Sequence, residues 1–290
     1  MRALAVLDAP IDSSGESRGE EHAPAALREA GLVARLGARD AGEVEARIRD
    51  ARRDPETGVI GANDVRRGTA AVAAGVRALL GSGEIPVVVG GDCTLLLGVF
   101  GAVSPGTGLW FVDGHADFYD GETSPTGEAA DMDLAILTGH GPGGLLDGGP
   151  ELDPAAVVLL GHRPDELSSD VAEENARLDP AIHALTAPAL RARGAAAVGA
   201  EAAGRLADRP AWLHLDLDVL DETALPAVSY PQPLGLNWEE LVALARPLAG
   251  APNLVGVSVA DYNPDRDADG RHARAIVDAL EDLLVQAGAR

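Results

Sequence analysis

The segment Leu109-Trp-Phe-Val-Asp-Gly-His-Ala-Asp117 places three polar side chains directly after a short apolar run. A second segment, Trp212-Leu-His-Leu-Asp-Leu-Asp218, ends in the same way with two carboxylates. Alternate side chains of an extended strand point to the same side, so each segment directs its polar groups toward one point. Runs that are apolar at every position are typical of strands buried on both faces of a parallel sheet. The two segments therefore predict two such strands that end at a shared polar site.

Further apolar runs and the helical stretches between them extend this pattern along the chain. The predicted strands are 3–7, 85–89, 109–112, 156–160, 212–217 and 254–259. The predicted helices are 24–36, 63–80, 241–248 after a capping box that begins at Asn237, and 272–286, with a short helical piece at 131–137. Alternation of strand and helix predicts an open parallel sheet covered on both faces, with ligands beyond the carboxyl ends of the strands. No repeat or domain linker interrupts it.

The amino-acid composition argues against several classes of function. The chain has 46 acidic and 23 basic side chains and a net charge of −23, which argues against binding to nucleic acid or an anionic membrane. All the basic side chains are arginine, and the absence of lysine excludes Schiff-base chemistry and a P-loop. Cys93 is the single cysteine, so no internal disulfide is possible. No signal peptide and no apolar run of transmembrane length is apparent, and a cytoplasmic location is expected.

The two segments together carry five side chains of the kinds that bind metals: Asp113, His115, Asp117, Asp216 and Asp218. Like-charged carboxylates cannot be buried together unless positive charge lies between them. Oxygen donors with one imidazole suit a hard or borderline divalent cation, and five groups are enough for two ions. The alternative is that the acids are solvated and cap strand ends. Their position at two strand ends of one predicted edge favours a metal site.

Three other positions are candidates with open alternatives. Cys93 lies in Gly90-Gly-Asp-Cys-Thr94 at the start of a helix, where a lowered thiol pKa is expected; it could be a metal ligand, a nucleophile or an inert thiol. His140 lies in the Gly- and Pro-rich loop 120–153, where a lone histidine is usually structural or exposed. Asp261, after the last strand, could meet a cationic substrate or cap a turn.

The remaining acid and histidines of interest are expected to be structural. Asp221 could cap the turn that follows Asp218. His214 shares the face of Asp216 but lies deeper in the strand, where a hydrogen bond to a ligand residue is expected rather than metal binding. The other histidines with this expectation are His162, His183 and His272.

Taken together, these segments resemble the ureohydrolase family of arginases, agmatinases and formiminoglutamases. Members have Gly-Gly-Asp-His-Ser, Asp-Ala-His-x-Asp, Ser-x-Asp-x-Asp-x-x-Asp-Pro and Glu-x-Asn-Pro in this order. The counterparts here are 90–94, 113–117, 214–222 and 261–264, and the resemblance covers roughly 86–264. It implies a three-layer α/β/α fold of the arginase and deacetylase type, as one domain over residues 1–290.

The resemblance also implies a chemistry. Family members bind two Mn²⁺ ions bridged by a hydroxide that attacks a guanidine carbon and releases urea, or hydroxyurea from a hydroxylated substrate. Carried over by position, one ion would be bound by Cys93, Asp113, Asp117 and Asp216. The other would be bound by Asp113, His115, Asp216 and Asp218.

The resemblance assigns three catalytic roles and one assembly state. Asp117 would stabilise the tetrahedral species, His140 would match the family's proton-shuttle histidine, and Asp261 would pair with the substrate guanidinium. A small cationic guanidine is therefore the expected substrate, and a homo-oligomer is the expected assembly.

Departures from the family pattern affect what kind of member this is. Cys93 replaces a ligand histidine, and thiolate is a softer donor than Mn²⁺ prefers, so that site could be weaker, partly filled or tuned to another metal. Asp261 is one methylene shorter than the family's glutamate. Tyr119 falls where arginases have an asparagine, and 225–231 replaces a Pro-x-x-Gly-Thr-Pro stretch.

These departures favour a modified guanidine, such as Nω-hydroxyarginine, over plain arginine as the substrate. Arginase, agmatinase, guanidinobutyrase and formiminoglutamase activities remain alternatives. Two other hypotheses remain: a metal-independent enzyme in which Cys93 is the nucleophile, and a single-metal, non-catalytic family member that binds a guanidine or regulates a partner.

Overall fold

The computed structural model describes residues 2–146 and 152–286. Within these residues the strands are β1 (Leu4–Ala9), β2 (Arg39–Glu43), β3 (Ile85–Gly90), β4 (Gly108–Val112), β5 (Val157–Leu160), β6 (His183–Leu185), β7 (Ala211–Asp216) and β8 (Leu254–Ala260). They form one eight-stranded sheet in the order β2-β1-β3-β8-β7-β4-β5-β6. Every pair of neighbouring strands is parallel. The predicted parallel sheet is confirmed.

Helices cover both faces of this sheet. They are α1 (Ala23–Glu29), α2 (Leu32–Arg35), α3 (Ala62–Gly81), α4 (Leu95–Phe100), α5 (Asp133–Leu137), α6 (Ser169–Asn175), α7 (Ala187–Arg193), α8 (Ala195–Arg205), α9 (Trp238–Ala249) and α10 (Arg271–Glu281). Alternate residues of one strand contribute to opposite cores: Val87 and Val89 pack with α1, α2 and α7 to α10, whereas Val88 packs with α3, α4 and α5. The architecture is therefore three-layer α/β/α, as expected.

All six predicted strands are present, and two edge strands escaped prediction. β2 has the sequence Arg-Asp-Ala-Gly-Glu and is almost wholly exposed, so it has no apolar run to identify it. β6 has only three residues. An edge strand pairs with one neighbour and often carries charge, which removes the sequence signal that central strands provide.

Most predicted helices are present with changed ends. The predicted helix 24–36 is two helices, because Gly31 adopts a left-handed φ of 94° between α1 and α2. α9 begins with the predicted capping box: the Asn237 side chain accepts from the Glu240 amide at 2.9 Å, and Glu240 accepts from the Asn237 amide at 3.0 Å. Helices α6, α7 and α8 were not predicted. Part of the predicted loop 120–153, residues 147–151, lies outside the described residues.

Membrane-spanning character is absent from the helices of the described ranges, because none of them is long and apolar enough to cross a bilayer.

Candidate metal centre

The candidate site lies at the carboxyl ends of four adjacent strands, β3, β8, β7 and β4. Cys93 follows β3, Asp113 follows β4, Asp216 ends β7 and Asp261 follows β8. Since parallel strands present their carboxyl ends at one edge, segments distant in sequence meet there. The cavity at this edge measures about 260 Å³, and these four side chains all line it.

Cys93 is held in place by an unusually close approach of two loops. A Cβ atom on Gly91 would lie 1.6 Å from the carbonyl oxygen of Ile11, so only glycine fits there. The Cys93 Sγ is buried, 3.4 Å from Asp117 Oδ2 and 3.7 Å from Asp261 Oδ2. Burial and these carboxylates raise the pKa of the thiol well above its ordinary value. The expected lowering of this pKa is therefore wrong for the protein without a bound cation.

His115 and Asp218 form a pair that is satisfied by the protein itself. His115 Nδ1 lies 2.8 Å from Asp218 Oδ2, and the Gly114 amide donates to Asp218 Oδ1 at 3.1 Å. Burial alone would lower the pKa of His115, but Asp218 raises it to about 9. Burial would raise the pKa of Asp218, but His115 and then Arg163 hold it at about 2. Each group supplies the charge that the other needs.

Asp113 and Asp216, in contrast, each keep one buried oxygen without a hydrogen-bond partner. Their other oxygens accept from main-chain amides, from His115 at 2.7 Å and from Asp218 at 2.8 Å. Burial and neighbouring carboxylates raise the pKa of both acids well above the ordinary range. Buried acceptors without donors are costly, and a divalent cation would supply the missing positive charge.

The described donor atoms fall into groups small enough to hold an ion, with members within 4.8 Å of one another. One group is Asp113, His115 and Asp218, and another is Cys93, Asp113, His214 and Asp216. Asp113 belongs to both. Further groups join Cys93 and Asp117 to Asp133, and join Asp216 and Asp218 to Asp261. The residues present therefore fit two cations, and the structure brings together all six residues expected to be ligands.

Two of the site carboxylates have strained main chains. Asp117 has a φ of 48° and Asp261 a φ of 63°, in the left-handed region that non-glycine residues rarely adopt. Main-chain bonds hold both: the Asp261 amide donates to Gly91 O at 2.7 Å, and Asp117 O accepts from the Ala135 amide at 3.1 Å. Strain of this kind is concentrated at functional sites. Asp261 thus lies inside the cluster rather than only at a turn.

His140 is not brought to this cluster. Its side chain is 43% exposed, and its Nε2 lies 3.2 Å from Asp179 Oδ2 on the outside of the cavity. The amides of His140 and Gly141 both donate to Ala135 O, and these two hydrogen bonds form the turn that follows α5. The proton-shuttle role expected for His140 has no support in this arrangement.

Asp221 and His162 agree with structural roles, whereas His214 differs from its expected contact. Asp221 caps a turn by accepting from the Thr223 amide at 3.0 Å. His162 is buried, and burial lowers its pKa to about 4. His214 is fully buried, and burial lowers its pKa to about 3, so the ring is neutral. The expected hydrogen bond from His214 to a ligand residue is absent; its Nδ1 lies 2.8 Å from Ser258 Oγ instead.

Two site residues escaped prediction. Asp133 is fully buried beside Cys93 and Asp117, and neither of its oxygens has a hydrogen-bond partner. Its position directly before the apolar Leu-Ala-Ile-Leu137 was the available signal. Arg163 is 1% exposed and donates to main-chain carbonyls of Asp218, Val219, Leu220, Gln232 and Pro233. It fixes the loop that carries Asp218, and it follows β5 at the predicted rim of the sheet.

The wall of the cavity is strongly acidic. Tyr119 and Tyr230 contribute the aromatic surface near its mouth. His115 is the only side chain of a basic type among the described residues that line it. The carboxylates that line it are Glu20, Asp92, Asp113, Asp117, Glu128, Asp131, Asp170, Glu174, Asp216, Asp218 and Asp261. Such a wall attracts a cationic ligand and repels an anionic one.

With this fold and this centre, the chain belongs to the arginase family, whose sequence model matches residues 2–285. The predicted ureohydrolase resemblance is confirmed. The chain is 29% identical over 300 residues to the arginase of Bacillus caldovelox, with 98% of each chain covered. It is 28% identical over 212 residues to the N(omega)-hydroxy-L-arginine amidinohydrolase of Streptomyces lavendulae, covering 70% of this chain and 69% of the relative.

The solved structure of the Bacillus caldovelox arginase is similar throughout. It superimposes with a TM-score of 0.85 at 26% identity, over 98% of this chain and 99% of the arginase. Proteins of this family are hydrolases that act on the C–N bonds of guanidino groups. The chain is therefore an arginase-family hydrolase.

Proposed function

We propose that this protein is a binuclear-metal amidinohydrolase whose substrate is a hydroxylated guanidine, Nω-hydroxyarginine being the first candidate. The observation that carries the proposal is the pair of donor groups that share Asp113, in which buried oxygens of Asp113 and Asp216 have no hydrogen-bond partner. When bound, two Mn²⁺ ions would supply Lewis acidity and activate a water molecule for attack on a guanidine carbon.

The proposed ligands divide between two ions. Cys93, Asp113, Asp117 and Asp216 would hold one of them. Asp113, Asp216, His115 and Asp218 would hold the other. Support comes from the short distances that join Cys93 to Asp113 and Asp216, Cys93 to Asp117, and Asp113 to His115 and Asp218. All of these side chains are buried except His115, which is partly exposed.

Binding of the substrate would depend on Asp261 and on the acidic wall. Asp261 lies among Cys93, Asp216 and Asp218, and burial, followed by the charge of Asp216, raises its pKa well above the ordinary range. A substrate guanidinium beside it would offset this cost and donate a charge-assisted hydrogen bond to the Asp261 carboxylate. The carboxylate of an aspartate reaches less far than that of a glutamate, which supports a guanidine that carries an additional oxygen.

The relatives support both the preferred and the alternative substrate. The Streptomyces lavendulae relative acts on Nω-hydroxyarginine, but the Bacillus caldovelox arginase matches over more of the chain. Arginase activity is therefore the second candidate, favoured by that coverage.

The test is a panel of guanidines assayed with the Mn²⁺-loaded protein: Nω-hydroxyarginine, arginine, agmatine, 4-guanidinobutyrate and formiminoglutamate. We expect the highest kcat/KM with Nω-hydroxyarginine, measured as hydroxyurea. An equal or higher kcat/KM with arginine would overturn the substrate proposal. Undiminished activity after chelation and dialysis would overturn the metal mechanism and leave Cys93 as a nucleophile. Asp261→Glu is the matched variant, and we expect it to move the preference toward arginine.

A further inference from the structure

His214 is held rigidly on β7 by three neighbouring side chains. Its ring stacks on Phe111, with ring centroids 5.3 Å apart and planes inclined by 15°. Its Nδ1 lies 2.8 Å from Ser258 Oγ, and the same oxygen accepts from Trp212 Nε1 at 2.9 Å. The ring therefore has one defined direction, and that direction is set by the sheet.

The other ring nitrogen of His214, Nε2, makes no hydrogen bond that would explain its burial in the site. The residue is 0% exposed, and Nε2 has no hydrogen-bond partner. A ring nitrogen of His214 nevertheless shares a group with Cys93 Sγ and with carboxylate oxygens of Asp113 and Asp216, all within 4.8 Å of one another. Burying a polar nitrogen without a partner is costly, so its place in a donor group needs a reason.

Ser258 provides the hydrogen bond that a metal-binding histidine normally makes. Its hydroxyl oxygen has two lone pairs and can accept from Trp212 and from Nδ1–H of His214 together. That tautomer leaves a free lone pair on Nε2, the ring nitrogen that has no hydrogen-bond partner. A hydrogen bond from the remote ring nitrogen is the usual way in which proteins fix the orientation of a ligand histidine.

We propose that His214 Nε2 is a ligand of the cation that Cys93 binds. This inference rests on the proposed metal centre and extends its ligand set. A thiolate and an imidazole beside the carboxylates form a mixed donor set that suits a borderline cation of the Zn²⁺ or Co²⁺ type better than Mn²⁺. The inference therefore replaces one of the two proposed Mn²⁺ ions: a borderline ion would lie at Cys93 and His214, and a hard ion such as Mn²⁺ at His115 and Asp218.

The sequence motifs agree with a metal site in which the imidazole comes from β7 instead of from the segment after β3. Where the ureohydrolase motifs have histidine in the first segment and serine in the third, this chain has Cys93 and His214. One imidazole is lost at β3 and one is gained at β7, beside the same carboxylates.

The first test measures metals, not turnover. Chelated protein is dialysed against limiting Zn²⁺ with excess Mn²⁺, and both metals are counted by mass spectrometry. We expect one Zn²⁺ and one Mn²⁺ per chain in the wild type. In His214→Ser we expect Zn²⁺ affinity to fall by at least about tenfold, while the Mn²⁺ remains. His183→Ser, a change at a distant edge strand, is the matched control and should behave as wild type.

The second test uses the unmodified protein, so it does not depend on the folding of a variant. X-ray absorption at the zinc edge, with one equivalent of Zn²⁺, should show one sulfur and one imidazole ligand. Sulfur with oxygen alone, or unchanged Zn²⁺ affinity in folded His214→Ser, would overturn the proposal.

These readouts also separate the two proposals. Zinc bound through His214 in a protein that hydrolyses no guanidine would leave this inference standing and overturn the proposed function.

Discussion

The two halves of the metal centre differ in how far the protein satisfies them without a cation. In the His115 half, defined as Asp113, His115 and Asp218, an ion pair of 2.8 Å between His115 and Asp218 balances the charges of these two side chains. In the Cys93 half, defined as Cys93, Asp113, His214 and Asp216, buried atoms of the last three lack hydrogen-bond partners. The protein itself thus provides the partners of His115 and Asp218, whereas the Cys93 half lacks partners that a bound cation would supply.

The largest expected effect comes from the residue that both halves share. Asp113→Asn keeps the shape of the side chain but removes a charge from both donor groups. Because loss of an outer hydrogen-bond partner alone costs about 10–100-fold in metal affinity or activity, we expect a larger loss here. Metal content and kcat/KM would be measured, with Asp208→Asn, at an exposed position outside the cavity, as the control. Two retained ions in the variant would contradict the shared role.

A second change addresses the Cys93 half alone. Cys93→His replaces the soft donor with an imidazole, and combining it with His214→Ser recreates the donor types of the family motifs. We expect the double variant to bind Mn²⁺ on the order of tenfold more tightly at this half. Competition between Mn²⁺ and Zn²⁺, read as metal content, measures this. If Cys93→His alone and the double variant show the same preference, His214 does not contribute to it.

Removal of the metal should make the thermal stability of the protein depend on pH, because the carboxylates of Asp113 and Asp216 then repel each other. Burial raises the pKa of Asp113 and Asp216 in the folded protein above the unfolded value near 3.9. Such groups favour folding while they are protonated, and that contribution is lost as pH rises through their folded pKa. We expect the Tm of the chelated protein to fall from pH 5 to pH 8, by about 2–4 °C for each kcal/mol lost.

The control for this measurement is the metal-loaded protein, whose Tm should change much less over the same range. Chelated Asp113→Asn should also lose part of the pH dependence. A Tm of the chelated wild type that rises steadily with pH would show that the buried carboxylates do not repel one another as described.

The smallest effect is expected at His140. Because its Nε2 pairs with Asp179 outside the cavity, we expect His140→Ala to change kcat by less than about twofold. A general acid or base contributes about 10²–10⁴-fold, so a true proton shuttle would give a far larger loss. A fall of that size, with unchanged metal content, would show that the 138–141 turn brings His140 into the cavity during turnover.

The two halves also differ in how much of each could be predicted from the sequence. The strand ends and the His115 half were predictable, because apolar runs followed by alternating ligand-type residues are local signals. The Cys93 half was predicted in part. His214 Nε2 and the Asp133 carboxylate are buried without hydrogen-bond partners. Their burial is determined by the distant elements that pack against them, and no local sequence pattern indicates it.

The same reason explains the placement of His140. A glycine-flanked histidine in a long loop fits a shuttle in sequence, but the direction of that loop is decided by the end of α5. The left-handed main chains of Asp117 and Asp261 were not predictable either, since the bonds that hold them come from α5 and from the loop after β3.

Arg163 has a consequence for how this protein can change over evolution. Its guanidinium binds only main-chain oxygens of the two segments 218–220 and 232–233. Gln232 takes part in these bonds only through its main-chain oxygen, and the same residue lines the cavity. Side chains on this wall can therefore be exchanged without loosening the loop that carries Asp218. Substrate preference can diverge among relatives while the residues of the candidate metal centre stay in place.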